Sequence, residues 1–373
     1  MSTRLIAGAM SGTSADGVDV ALVAVDGRGL DMTARLVHHH HEAYPPELRN
    51  AIFAIRERES VELPELARCA RQISLSYASA TRGALLGAGL GASDLIAIAA
   101  HGQTLFHDPP NTIQWIDPAL LAHEVGCQVI SDFRRADCAA GGQGAPLVPF
   151  ADYLLFRHPT AHRVLLNIGG IANITILPAG ASIDHLVAFD TGPGNCISDW
   201  ICRTYDPQGP GCDLGGARAL RGRMLREVKD QYLPDPYFAC PPPKSTDGPA
   251  MVEIFQKALG KGRPEMNDLL ATAAYLTGAT IAGAVASQVP TNSAIELIAS
   301  GGGIHNKAVM GHLSSLLPPG SVLCTTQDLG IPPEAKEAIA FALIGAATLD
   351  GVPANVPSCT GASRTVVLGS ITP

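Results

Sequence analysis

Residues Gly8–Asp19 read GAMSGTSADGVD, entered from the apolar run Leu5–Ala9 and left through the alternating run Val18–Val25 (VDVALVAV). That is the pattern of a strand, a tight turn rich in Gly, Ser and Thr, and a returning strand. Glycine lets such a turn bend sharply and approach a ligand closely. The hydroxyls of Ser11, Thr13 and Ser14, with the turn amides, form a concave donor set suited to phosphate oxygens. Asp16 suits a hydrated Mg²⁺ beside them, because Mg²⁺ keeps several waters and takes few carboxylates. An ordinary hairpin with a small-residue tip reads the same way, so the rest of the chain has to decide.

Working outward, the second half opens with an echo. Arg163–Ile168 (RVLLNI) reads as a strand, Gly169-Gly170 as the turn and Ile171–Leu177 (IANITIL) as the return strand. Two glycine-tipped hairpins, one opening each half, predict duplicated domains facing one nucleotide. A length of 373 residues accommodates two domains. The expected boundary lies near the Gly141-Gly142-Gln143-Gly144 run, read as a hinge or a backbone-lined pocket wall. One domain then takes residues 1–140 and 355–373, the other 141–354.

Between the hairpins, Leu30–Val37 reads as a third strand continuing into His38–His41. Adjacent strand residues face opposite sides, so at most two of these histidines converge; with no carboxylate placed to complete a metal site, a solvated strand end is expected. Pro46–Arg58 and Val61–Leu86 are helical by period. Leu95–Ala100 (LIAIAA) fits a parallel strand buried on both faces. It delivers His101-Gly102-Gln103-Thr104 and then His107. Ligands in open α/β sheets lie beyond the carboxyl ends of strands, so this cluster is either a substrate site or a capped helix start. A further strand ends at Val129–Ile130 and gives Ser131-Asp132-Phe133-Arg134, then Asp137.

In the second half, the strand Leu186–Phe189 ends in Asp190-Thr191-Gly192-Pro193-Gly194-Asn195. Asp190 is a candidate general base, although Asp also forms turns and caps helices. Lys244-Ser245-Thr246 follows Pro241–Pro243 in a loop, a candidate mobile substrate contact. A strand Ala294–Ala299 leads to Ser300 and the triglycine Gly301-Gly302-Gly303, whose bare backbone suits a base or ribose. Pro332–Leu349 is predicted helical, with Pro near its start, and carries Glu334 and Glu337 in its first turns.

Composition narrows the function classes. Apolar residues make up 46% and charged residues 16%, which describes a core-rich globular chain rather than a disordered one. A net charge of −8 with no basic stripe argues against nucleic acid. The nine cysteines form no CxxC pair, so free thiols in a reducing cytoplasm are expected. The N-terminal MSTRLIAGAM lacks the features of a signal peptide. Leu269–Val289 is uncharged over 21 residues, long enough for a membrane span. Its Ala, Thr, Gly and Ser content and the lack of a basic flank favour a buried helix, with no membrane partner.

Taken in order, MSGTSADGVD, HGQT, DFR, GGQGAPLVP, NIGGIAN, DTGPGN, KST, SGGGIHN, EAKEAIAFA and the C-terminal TGA resemble the anhydro-N-acetylmuramic acid kinase family, from Gly8 to beyond Gly361. The resemblance implies an α/β fold of two ribonuclease-H-like, actin-like ATPase domains with a nucleotide cleft between them. It implies ATP and Mg²⁺ as cofactors, a small amino sugar as substrate and a homodimer in the cytoplasm. The implied reaction opens 1,6-anhydro-N-acetylmuramic acid with water and phosphorylates it, as part of cell-wall recycling.

It also implies roles for residues. Asp190 stands at the family's catalytic Asp. Gly12, Thr13, Ser14, Ala15, Asp16, Gly17, Val18 and Asp19 would contact phosphate, with Asp16 near the metal. Asn167, Gly169 and Gly170 belong to a second phosphate loop, and Gly301, Gly302 and Gly303 to an adenosine wall. His101, Gln103, Thr104, Lys244 and Glu334 would face the sugar. The family usually continues KST with Gly-Arg-Glu; here Asp247-Gly248-Pro249 follows, which removes a cation and a carboxylate from that loop. Two other classes share the fold: a kinase for another sugar or acid, and a non-catalytic ATP-driven clamp or filament.

Overall fold

The computed structural model describes residues 3–58, 60–290 and 293–373. The chain divides into two compact units, Met1–Phe156 with Glu334–Pro373, and Arg157–Pro333.

In the first unit, β1 (Arg4–Ser11), β2 (Gly17–Asp26) and β3 (Thr33–Ala43) form an antiparallel meander. β4 (Ala97–Asp108) runs parallel to β1; β5 (Asn111–Trp115) returns along β4; β6 (Val129–Ser131) runs parallel to β4. The second unit begins with β7 (His162–Ile168), β8 (Ile171–Leu177) and β9 (Val187–Pro193), again an antiparallel meander. β10 (Ile295–Ser300) lies parallel to β7 and β11 (Val322–Thr325) parallel to β10. β12 (Ser370–Thr372) returns to the first sheet beside β6. The orders β3-β2-β1-β4-β6 and β9-β8-β7-β10-β11 are the same topology twice, the duplicated ribonuclease-H-like arrangement expected.

Each sheet follows from its sequence pattern. On β2, Val18, Val20 and Leu22 join Ile73, Tyr77 and Ala84 of the helix Leu63–Ala88 in one apolar cluster. The helix Lys336–Leu349 crosses β1 so closely that a Cβ at Gly8 would overlap the Ala338 carbonyl, so this crossing requires glycine. In the second unit, Val164, Leu166, Ile174 and Leu297 pack with the helix Met266–Gln288. That helix is apolar and long enough to cross a membrane, yet Leu269, Leu276, Ile281 and Val285 are wholly buried. It is the central core helix of its unit.

Three expectations need correction. The strand expected over 95–100 runs instead from Ala97 to Asp108, so His101–Thr104 sits within β4 rather than after it. The four histidines are no solvated end: all lie inside β3, with the His38 and His40 rings over Gly87 and Gly83 of the helix Leu63–Ala88. The boundary also differs, since residues 141–156 and 334–354 belong to the first unit. The reason is packing. The helix Lys336–Leu349 covers the first sheet, and its Lys336 pairs with the buried Asp152 at 3.1 Å. The Gly141–Gly144 run is not a hinge between domains. Asp137 Oδ2 accepts from the Gly144 amide at 2.8 Å, while its Oδ1 accepts from Asn355 Nδ2 and Thr360 Oγ1, both at 2.8 Å.

Candidate active site

In the first unit, residues 12–16 form the β1–β2 turn, and side chains from elsewhere hold its backbone. Gln103, fully buried, accepts from Ser11 Oγ at 2.7 Å and donates from Nε2 to the Gly12 carbonyl at 3.0 Å. Arg56 Nη1 donates to the Thr13 carbonyl at 2.6 Å, and the Tyr44 amide to the Asp16 carbonyl at 3.0 Å. Ala15 adopts a φ of 47°, a left-handed conformation unusual for a residue with a Cβ, and its amide donates to the Gly12 carbonyl. Thr13, Ser14 and Asp16 are exposed. Asp16 accepts from Ser14 Oγ at 3.0 Å, which leaves its second oxygen open. That arrangement fits a water-rich Mg²⁺. Among the described residues no group of three or more His, Cys, Asp or Glu could hold a metal by itself.

Beside this turn lies a polar cluster at the head of the helix Lys336–Leu349. Asp19 Oδ1 meets His39 Nε2 at 3.0 Å and His41 Nδ1 at 3.1 Å, so two of the four histidines do converge, and on a carboxylate. His101 is buried, with its ring 4.6 Å from that of Phe341. Its Nδ1 lies 2.9 Å from the Gly102 carbonyl, and its Nε2 accepts from Arg134 Nε at 2.9 Å. These partners fix the neutral tautomer with the proton on Nδ1, and burial together with the Arg134 charge holds the imidazole pKa well below its usual value.

Both ring nitrogens of His101 and both ends of the Gln103 amide are therefore committed inside the protein. Of the predicted HGQT contacts, Thr104 is the partly accessible one. Glu334 lies exposed in the short turn Pro333–Ala335. The acid that enters the cluster is Glu337. It is exposed at the surface, and desolvation raises its carboxyl pKa against the opposing charges of Lys336 and Arg134. Helical spacing could have pointed to Glu337, because it lies one turn before Phe341.

In the second unit, the β7–β8 turn is only Gly169-Gly170, and backbone holds it. The Gly169 carbonyl accepts from the Asn195 amide at 2.8 Å, and the Gly170 carbonyl from the Gly194 and Cys196 amides at 3.0 Å. Gly301 (φ 82°) and Gly303 press against β7, where an added Cβ would overlap the Asn167 side chain and Ile168 respectively. A Cβ at Gly170 or Gly302 would meet nothing within 4 Å. The triglycine thus has two packing glycines and one open position.

Asp190 lies within β9 rather than at its end, opposite Asn173 and next to a bulge that skips Thr191; bulges re-aim side chains beside functional sites. Its backbone is clamped, the amide donating to the Lys244 carbonyl at 3.1 Å and the carbonyl accepting from Tyr237 Oη at 2.7 Å. Oδ2 accepts from the Thr246 amide at 3.0 Å. Desolvation raises the carboxyl pKa above the ordinary aspartate value, with the Thr246 bond opposing. Lys244 donates from Nζ to the Tyr237 and Phe238 carbonyls at 2.9 and 3.2 Å and lies over the Tyr237 ring. It fixes the loop that holds Asp190, a use the sequence did not reveal. Asp247 caps the helix Gly248–Leu259 by accepting from the Ala250 amide at 2.8 Å, so the departure after KST builds a helix start.

The family profile described as anhydro-N-acetylmuramic acid kinase matches residues 4–373. A protein of that name from Caldanaerobacter subterraneus subsp. tengcongensis is 36% identical over 383 residues, covering 99% of this chain and 96% of its own. One from Salinibacter ruber is 39% identical over 387 residues, with coverage of 99% and 96%. One from Bacillus cereus is 36% identical over 378 residues, with coverage of 98% and 96%. Among solved structures, component A of the (R)-2-hydroxyglutaryl-CoA dehydratase of Acidaminococcus fermentans gives a TM-score of 0.45 at 13% identity, over 91% of this chain and 96% of that chain. With the profile spanning all but the first three residues, this chain belongs to the anhydro-N-acetylmuramic acid kinase family.

Proposed function

We propose that this enzyme uses ATP and water to convert 1,6-anhydro-N-acetylmuramic acid into N-acetylmuramic acid 6-phosphate, with Asp190 as general base. The observation that carries the assignment of the base is its setting: a half-buried carboxylate with raised pKa, clamped backbone and one oxygen already held by the Thr246 amide. The other oxygen, Oδ1, would take a proton from water attacking the anomeric carbon. The bond from that carbon to the 6-oxygen breaks, and the freed 6-oxygen takes the γ-phosphoryl group as ADP leaves. Positioning and charge stabilisation carry this transfer. Residues Gly12–Asp19 would hold phosphate in the first unit, and Asn167, Gly169 and Gly170 in the second, with Gly301–Gly303 beside adenosine. Asp16 would hold Mg²⁺, which when bound neutralises phosphate charge. The proposal extends to a cytoplasmic homodimer working in peptidoglycan recycling.

The test is mass spectrometry of the products from Mg·ATP and the anhydro sugar in oxygen-18 water. A sugar phosphate with one heavy oxygen at the anomeric position, lost in Asp190→Asn, is expected. ADP without sugar phosphate from the wild type would remove the assigned substrate. Labelled product at the wild-type rate from the variant would remove Asp190 as base.

A further inference from the structure

The charged cluster of the first unit contains one guanidinium built to receive an anion. Arg134 follows β6 and is held at two points: Nε donates to His101 Nε2 at 2.9 Å and Nη1 to the Gly144 carbonyl at 2.7 Å. Each holding group is itself fixed. The His101 Nδ1 proton is directed at the Gly102 carbonyl, and its ring packs on Phe341. The amide of Gly144 is tied to the buried Asp137. No ion pair joins Arg134 to Glu337, although that carboxylate acts on it through the field. Asp137 is engaged by Asn355 and Thr360. Arg134 is only partly buried, and among the described residues Nη2 makes no hydrogen bond. A planar guanidinium with one end fixed and the other open suits a carboxylate, and prior fixing lowers the ordering cost of binding.

Resting on the proposed substrate, which is an acid, we infer that Arg134 receives the substrate's carboxylate and that His101 is the positioning residue that aims it. A neutral imidazole is needed for this, since only an unprotonated Nε2 can accept from Arg134. His101 is the residue to substitute first, because it touches no substrate in this scheme. Its loss should act on substrate discrimination rather than on the chemical step.

The experiment compares 1,6-anhydro-N-acetylmuramic acid with its carboxamide, a neutral near-isostere. kcat/KM is measured for wild type, Arg134→Gln, His101→Leu and His101→Gln, with calorimetric binding of both sugars in parallel and melting curves to check folding. The wild type should prefer the acid by about 10- to 100-fold, the usual contribution of a hydrogen bond to a charged group. The preference should fall to near unity in Arg134→Gln and drop in His101→Leu, mainly through KM. His101→Gln, which can still present an acceptor, should retain most of it. A wild type that uses acid and carboxamide equally well, or a preference that survives Arg134→Gln, would overturn the inference. If His101→Leu does not fold, Arg134→Gln and His101→Gln still decide. Bound acid without sugar phosphate would defeat the proposed reaction and leave the Arg134 assignment standing; no binding of either sugar would defeat both.

Discussion

The two hairpins that open the two units share strand order and direction but hold their turns by opposite means. In the first, a five-residue turn is braced by distant side chains, with Gln103 and Arg56 reaching its carbonyls. In the second, a two-residue turn is braced by main chain, its carbonyls accepting from the amides of residues 194–196. The third strands differ as well: β3 carries His38–His41, and β9 carries Asp190. A repeated topology has therefore been given two chemistries. One is a side-chain network suited to holding charged groups; the other is bare backbone with a single clamped carboxylate.

This contrast can be broken at several points. The largest effect is expected from Asp190→Asn, which should cut turnover by about 10²- to 10⁴-fold, the range for removing a general base, while nucleotide binding measured by calorimetry persists. In the wild type, kcat/KM should fall as pH drops through the Asp190 pKa, on an acid limb lying above the ordinary aspartate value. The sign for stability is opposite. A raised folded-state pKa means that the folded protein holds this proton more tightly, so the contribution is present at low pH and lost as pH rises through that value. Asp190→Asn should therefore melt no lower than the wild type at neutral pH, and a large drop would mean that the carboxylate is structural.

Next comes Gln103→Leu, which leaves the Ser11 hydroxyl and the Gly12 carbonyl without their partner. A loss of about 1–3 kcal/mol in denaturant unfolding is expected, together with weaker ATP binding. Unchanged ATP affinity would show that the first turn is not held by its side-chain brace.

In the second unit the sensitivity should instead follow the backbone. Gly303→Ala forces a Cβ against Ile168 and should cost about 1–3 kcal/mol. Gly302→Ala meets open space and should stay within about 0.5 kcal/mol of the wild type. Equal melting temperatures for the two variants would refute the packing role. The smallest effect on activity is expected for Asp247→Ala, which loses a helix cap worth about 1 kcal/mol and leaves turnover of the anhydro sugar little changed. A large activity loss there would give the residues after KST a role in the site.

The local elements were legible in the chain because they depend on local physics. Period-two apolar runs flanking glycines give β1, β2, β7 and β8, and an uncharged small-residue run of helical length gives Met266–Gln288. The duplicated hairpins and the motif succession also identified the family. What local pattern could not supply was which partner each side chain meets. His101 and Gln103 read as ligand contacts, since a polar cluster near a strand end looks the same whether it faces solvent or braces a neighbour. Only the parallel register of β1 with β4, which pairs Ser11 with Gln103, turns Gln103 inward. Glu334 and Glu337 are both acids at a predicted helix start. Both are exposed, and the start of the Lys336–Leu349 helix puts Glu337 within the field of Arg134. The domain boundary was misread for the same reason, since residues 334–354 are far from β1 in sequence but cover it in space. Sequence alone determined strand, turn and helix, because those free energies arise between near neighbours. Tertiary structure decided which polar groups are brace and which are site, because that depends on burial and on hydrogen bonds closed across as many as 346 positions, as between Arg4 and Asp350.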